Sequence, residues 1–267
     1  MTNDVQILNN GYPMPAVGLG VYKIADEQME EVVRTALDAG YRAFDTAYFY
    51  GNEKALGSAL KHSNVERDEL FITSKLWNDY QGYDQTIEYF NKSLDNLGLD
   101  YLDLFLIHWP CENDQLYIES YKALEHLYEE GKIKAIGVCN FKIHHLEKLM
   151  KETKITPQVN QIELHPYFNQ QDVQDFCDEH DIKVTAWMPL MRNKGLLDDP
   201  VITDIAHRYD KTPAQIVLRW HLAHNRIIIP KSQTPKRIKE NFDIFDFNLE
   251  LTDVAEIDSS VSYTHLR

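Results

Sequence analysis

Short apolar runs punctuate the chain at regular intervals. They fall near 16–20, 41–45, 70–74, 102–107, 133–138, 157–162, 182–186 and 226–229, each of strand length. Between them the apolar positions repeat at helical spacing instead. In 84–97 the repeat is Ile87, Phe90, Leu94 and Leu97, and in 27–39 it is Val32, Val33, Ala36 and Leu37. A third helical stretch, 117–130, runs up to Gly131, a natural helix stop. Thr212-Pro213-Ala214-Gln215 reads as a helix start, with a capping hydroxyl, a proline suited to the first helical position and a glutamine placed to complete a capping box. Thr234-Pro235 opens another helix in the same way, without the box.

Strands alternating with helices in this way predict an α/β protein, a (β/α)8 barrel forming a single domain over 1–267. A doubly wound open sheet is the competing reading. The chain shows no Ser/Gly/Pro-rich linker, no low-complexity segment and no short repeat, which favours one domain. Residues 1–15 precede the first barrel strand and are expected to form a small hairpin capping the bottom of the barrel.

Composition narrows the classes. A length of 267 residues suits one large domain or two ordinary ones, and 43% hydrophobic residues suffice for a sizeable core. The net charge of -15 and the pI near 5.1 argue against binding nucleic acid or anionic membranes. Cys111, Cys139 and Cys177 are far apart and form no CxxC pair, so neither a zinc site nor a disulfide framework is expected, and a reducing cytoplasm fits. Met1-Thr2-Asn3-Asp4 lacks the features of a signal peptide, and no apolar run approaches membrane-spanning length. A monomer is the default expectation.

The candidate chemistry lies where strands stop. Phe44-Asp45-Thr46-Ala47-Tyr48-Phe49-Tyr50-Gly51 places Tyr50 five residues after Asp45; Leu70–Ser74 runs into Lys75, and Leu102–Ile107 runs into His108. An apolar strand ending on an ionisable side chain presents it at one rim of a sheet, and barrel active sites lie at the C-terminal rim. Lys75 needs a compensating partner, for which Asp45 is the candidate. A cation beside Tyr50 is expected to lower its pKa from about 10, making it a better proton donor near neutrality. In this scheme Tyr50 protonates a developing alkoxide, Lys75 tunes it, Asp45 holds Lys75 and His108 orients the carbonyl oxygen. Taken singly, the aspartate is more often a cap, the tyrosine packing, the lysine a snorkelling side chain and the histidine a satisfied core residue; all four at one rim outweigh those readings.

A second constellation lies at 226–240, which holds Arg226, Lys231, Lys236, Arg237 and Lys239 against Glu240 alone in a strongly acidic chain. It follows the last strand and precedes a helix N-terminus, where backbone N–H groups favour anions. Lys231, Ser232 and Arg237 are candidates for a phosphate monoester, while Lys236 and Lys239 read as a solvated face. Tyr22, Trp77, Trp109 and Trp187 fall at the same rim and suit an apolar pocket wall or a stack on a planar ring, although core plugging is the alternative. Gly18-Leu19-Gly20 does not extend to GxGxxG, and GxxxxGK[ST], HExxH and GxSxG are absent. A phosphate-bearing cofactor must then be held by another route, and no metal is expected.

Several ordered segments together resemble the aldo-keto reductase family across nearly the whole chain. They are Gly40–Ala47 with Tyr50-Gly51-Asn52-Glu53, Thr73–Trp77, Leu106–Pro110, Gly137–Phe141, Asn160–Pro166, and Ile229–Ser232 with Arg237 and Glu240-Asn241. The resemblance implies a (β/α)8 barrel that binds NADPH in an extended pose and reduces carbonyls to alcohols. The tetrad would be Asp45, Tyr50, Lys75 and His108. Cys139, Asn140 and Gln161 would meet the nicotinamide carboxamide, and Trp187 would stack on the ring. Gly20, Val21 and Tyr22 would border the cofactor, and Pro189, Leu190 and Met191 the pyrophosphate path. Lys231, Ser232 and Arg237 would read the 2′-phosphate, with Glu240 and Asn241 near the adenine. Tyr22, Trp77, His108 and Trp109 would line the substrate pocket. Position 139 is usually Ser, so Cys139 weakens one contact, and 191–195 lacks a glycine pair common in relatives. The short tail after Tyr263 is similar to that of the 2,5-diketogluconate and methylglyoxal reductase group and implies a more open pocket. Two other classes compete: a nucleotide-sensing regulatory protein on the same fold, and a barrel glycosidase using Asp45 and Glu163 as paired carboxylates.

Overall fold

A computed structural model describes residues 5–264. The first two strands, β1 (Val5–Ile7) and β2 (Pro13–Pro15), form an antiparallel hairpin in which Val5 faces Pro15. The barrel strands follow as β3 (Gly18–Gly20), β4 (Ala43–Asp45), β5 (Phe71–Leu76), β6 (Leu102–Ile107), β7 (Ile133–Cys139), β8 (Val159–Glu163), β9 (Lys183–Trp187) and β10 (Ile227–Ile228). They pair in chain order and every pairing is parallel. The edges meet through a parallel bridge between Val17 and Ile228, with the Ile228 N–H donating to Ala16 O at 2.9 Å and the Gly20 N–H to Pro230 O at 3.2 Å. Closure removes the exposed sheet edge.

The connecting helices are α1 (Asp26–Ala39), α2 (Glu53–Lys61), α3 (Tyr83–Leu97), α4 (Asp114–Glu129), α5 (Ile143–Glu152), α6 (Gln171–Glu179), α7 (Pro200–Tyr209) and α8 (Pro213–Ala223), followed after the last strand by α9 (Pro235–Phe242) and α10 (Leu251–Thr264). The capping box at α8 forms as its sequence predicts: Thr212 accepts from the Gln215 N–H, and the Gln215 side chain accepts from the Thr212 N–H. Thr234 precedes α9 without a side-chain cap.

The core has two layers. Most of it lies between the strands and the helices. A smaller cluster fills the barrel with Ala43, Phe71, Leu104, Leu106, Ala135, Cys139, Val159 and Ile227. Leu8 and Met14 join that cluster from the hairpin, which therefore plugs one end. With the interior packed and that end closed, chemistry is left to the other end, where the strands terminate. Among the described residues no helix is long and apolar enough to cross a membrane.

Candidate active site

Parallel register brings the first pair together. Asp45 ends β4 opposite Thr73 of β5, and Lys75 lies two residues further along, on the same strand face as Thr73. Both side chains are buried, Lys75 completely, so a bare ammonium there would be very costly. Its three donors are all used: Nζ lies 2.5 Å from Asp45 Oδ1, 2.9 Å from Thr46 O and 3.4 Å from the Tyr50 hydroxyl. The second carboxylate oxygen of Asp45 accepts from Gln161 Nε2 at 2.8 Å. Burial works against the Lys75 charge, but Asp45, with Tyr50 and Cys139, more than compensates and raises its pKa.

Tyr50 ends a short helical turn, Tyr48–Tyr50, that follows β4 and is closed by Gly51 in the left-handed region at φ 71°. That turn folds the phenol back over the Asp45–Lys75 pair. The expected acidification does not occur. Burial pushes the Tyr50 phenol up to about 12; Lys75 lowers it, but Asp45 and Cys139 add to the rise. Desolvation of a phenolate outweighs one cation whose charge Asp45 already neutralises. The hydroxyl oxygen accepts from Lys75, and among the described residues its hydrogen has no protein acceptor.

His108 follows β6, and its N–H donates to Leu76 O at 3.1 Å, which fixes the loop beside β5. The residue is 8% exposed, and its Nδ1 is buried without a partner among the described residues. Burial, and then the Lys75 charge, push its pKa down to about 2, so the imidazole is neutral. The rings of Tyr50 and His108 meet edge-on at 5.8 Å, and those of Trp77 and His108 at 5.3 Å. Tyr22 lies against Tyr50 at 4.8 Å. Trp109 is 40% exposed and meets Trp187 edge-on at 6.5 Å.

The polar groups after β7 and β8 are already engaged with one another. Asn140, at φ 64°, donates to His108 O at 3.0 Å and to Cys139 Sγ at 3.1 Å, and accepts from Trp187 Nε1 at 2.9 Å. Cys139 is buried, and burial raises its thiol well above the ordinary range, so it is a neutral weak donor toward Gln161 Oε1 at 3.8 Å. Sequence reasoning missed the bond from Gln161 to Asp45; no local signal joins residues so far apart in the chain. It also missed the brace beneath the site, where Thr46 Oγ1 donates to Asn52 Oδ1 at 2.9 Å and Asn52 Nδ2 to Val21 O at 2.9 Å.

The basic corner adjoins the first strand. A Cβ on Gly20 would meet Ile229 O at 3.1 Å, so glycine lets the strand lie against the loop carrying Lys231. Burial and the nearby Lys23 both lower the Lys231 pKa. Among the described residues Lys231, Arg237 and Lys23 form no ion pair, although the chain carries an excess of acid. Sequence reasoning did not single out Lys23. Ser232 is buried and accepts from the Thr234 N–H at 3.1 Å, and Asn241 is buried within α9. Glu240 is turned to α8 instead, accepting from Thr212 Oγ1 at 2.9 Å. Pro189, Leu190 and Met191 follow β9 on a bent path, with Met188, Met191 and Arg192 in the left-handed region.

Geometry thus defines a barrel whose C-terminal rim joins a protonated phenol, an ion-paired lysine and a neutral imidazole to an uncompensated cationic corner. A profile of the aldo/keto reductase family matches residues 16–262. The glyoxal reductase of Bacillus subtilis (strain 168) is 49% identical over 257 residues, covering 96% of this chain and 92% of that protein. The methylglyoxal reductase DkgA of Escherichia coli (strain K12) is 48% identical over 251 residues, covering 94% and 90%. A crystal structure of a Gox0644 mutant in complex with NADPH matches with a TM-score of 0.93 and 42% identity, covering 97% of this chain and 94% of that one. The chain belongs to the aldo/keto reductase family.

Proposed function

We infer that this protein is an NADPH-dependent oxidoreductase that reduces aldehydes and ketones to alcohols, with small dicarbonyls among its substrates. One observation carries the reading. All three Lys75 donors are satisfied, by Asp45, Thr46 and Tyr50, which leaves the Tyr50 proton as the free donor beside a neutral His108. The cofactor fits the residues present. Among the described residues Lys23, Lys231 and Arg237 lack acidic partners, which suits a phosphate group, and Trp187 offers a ring at the rim for a planar heterocycle. When bound, the reduced nicotinamide supplies a hydride to the carbonyl carbon. Charge then grows on the carbonyl oxygen, and the protein's task is to meet it. Tyr50 donates its proton to that oxygen, and the phenolate left behind is stabilised by Lys75, whose own charge is anchored by Asp45. His108, having no charge to repel, orients the oxygen through its single N–H.

Lys231, Ser232 and Arg237 hold the 2′-phosphate, and Asn140 with Gln161 faces the carboxamide. Because Gln161 and Asn140 already bond Asp45 and Trp187, carboxamide binding must share or displace those bonds. Gly20, Val21 and Tyr22 border the cofactor, Pro189 to Met191 follow its pyrophosphate, and Asn241 lies near the adenine. Tyr22, Trp77, His108 and Trp109 wall the substrate. The monomer is kept as the proposed working state. The free state of Cys111, Cys139 and Cys177 supports a reducing, cytoplasmic setting.

The test is NADPH oxidation, followed by absorbance, with methylglyoxal and a reactive aldehyde. Turnover supports the reductase; a cofactor that binds without being oxidised supports the nucleotide-sensing alternative. The glycosidase reading loses its pair, because Asp45 is held by Lys75 and Gln161 and Glu163 lies against His165 at 3.4 Å.

A further inference from the structure

Phe49 stands immediately before Tyr50, yet it is 50% exposed. It stacks on Trp77 with centroids 3.7 Å apart and planes 16° from parallel. Trp77 in turn meets His108 edge-on at 5.3 Å, and His108 meets Tyr50. One side of the mouth is therefore a continuous run of rings leading outward from the proton donor: His108, Trp77, Phe49. The last of them is a large apolar residue left half in water on an otherwise acidic molecule. Such surface contributes little to folding, but it gains when a bound apolar group removes it from water. A ring also attracts another ring beyond simple area burial.

We propose that Phe49 is a specificity-determining residue, which buttresses Trp77 and extends the apolar wall so that carbonyl compounds bearing an aryl substituent are favoured over their short aliphatic counterparts. This rests on the reductase reading above. The carbonyl is held at Tyr50 and His108, and the substituent projects along Trp77 toward Phe49. A methyl group in the same position is too short to reach Phe49, so only the larger group senses the ring.

Phenylglyoxal and methylglyoxal test this cleanly, since they present the same dicarbonyl with a phenyl or a methyl group. In Phe49→Ala, kcat/KM for phenylglyoxal should fall about tenfold, mainly through KM, while that for methylglyoxal stays within about twofold. Phe49→Tyr keeps the ring and should retain the preference for phenylglyoxal. Melting temperature and NADPH affinity, read by quenching of protein fluorescence, should be unchanged in both variants. Equal losses on the two substrates, or no loss on either, would overturn the proposal. Unaltered protein that oxidises NADPH with neither substrate would overturn the reductase reading and this inference with it, an outcome distinct from a reductase indifferent to residue 49.

Discussion

Tyr50 and His108 show how burial decides protonation one residue at a time. The phenol is pushed up to about 12 because burial opposes the phenolate more than Lys75 supports it. It is thus fully protonated at neutral pH, the form a proton donor requires. Turnover in the reduction direction should stay level from about pH 6 to about pH 9 and decline only at higher pH. A pH profile with an alkaline limb centred below about pH 9 would count against Tyr50 as the donor in this state. Tyr50→Phe should lower kcat by about a thousandfold while leaving NADPH affinity within about threefold; turnover that survives would show that another group gives the proton. His108 has the opposite sign. Its folded pKa of about 2 lies below its ordinary value of 6.5, so its contribution to stability is complete above 6.5 and is lost as pH falls toward 2. Replacing it by Asn should flatten the loss of unfolding free energy between about pH 6 and about pH 3 in denaturant titrations. An unchanged slope would mean other groups govern acid stability.

Elements place these residues through contacts that no single segment specifies. Helix α2 begins at Glu53, whose buried carboxylate accepts from Ser74 Oγ at 2.6 Å and Asn96 Nδ2 at 3.0 Å. The helix is thereby tied to β5 beside Lys75 and to α3. Gly57 makes that approach possible, since a Cβ there would lie 2.1 Å from Leu97 O. Gly57→Ala must push α2 away from α3, at a cost of about 2 kcal/mol or more, and a matching drop in the denaturation midpoint checks it. A midpoint equal to that of the parent would show that the two helices separate freely. The strand runs near 102–107 and 133–138 and the Thr212 box were legible because each depends on its own neighbours in sequence. The side-chain ties of Glu53 and Asn52 were not, because their partners lie on other elements.

At the scale of the whole molecule, charge is unevenly arranged. The chain carries -15, yet Lys231 and Arg237 have no acidic partners among the described residues, and Lys23 stands near Lys231. Like charges held together cost stability that a bound anion restores. Arg237→Ala should weaken NADPH by about tenfold or more and NADH by less than about threefold, with a shallower dependence of NADPH affinity on salt, as read by fluorescence titration. Equal losses for both cofactors would remove this residue from 2′-phosphate recognition. Closure of the barrel decides the rest, for it sets the loop after β10 against β3 and so brings the cationic corner to the same end as Tyr50.

The order and kind of elements, the eight strands and the rim positions of Asp45, Lys75 and His108 followed from the sequence alone, because local periodicity and strand termination are properties of neighbouring residues. Only the tertiary structure decided that Tyr50 is a weaker acid than its lysine neighbour suggested, that Gln161 reaches Asp45, that Glu240 serves a helix cap and that Phe49 lies exposed against Trp77. Each of those depends on how much water burial removes and on which distant groups the closed barrel brings within a few ångströms.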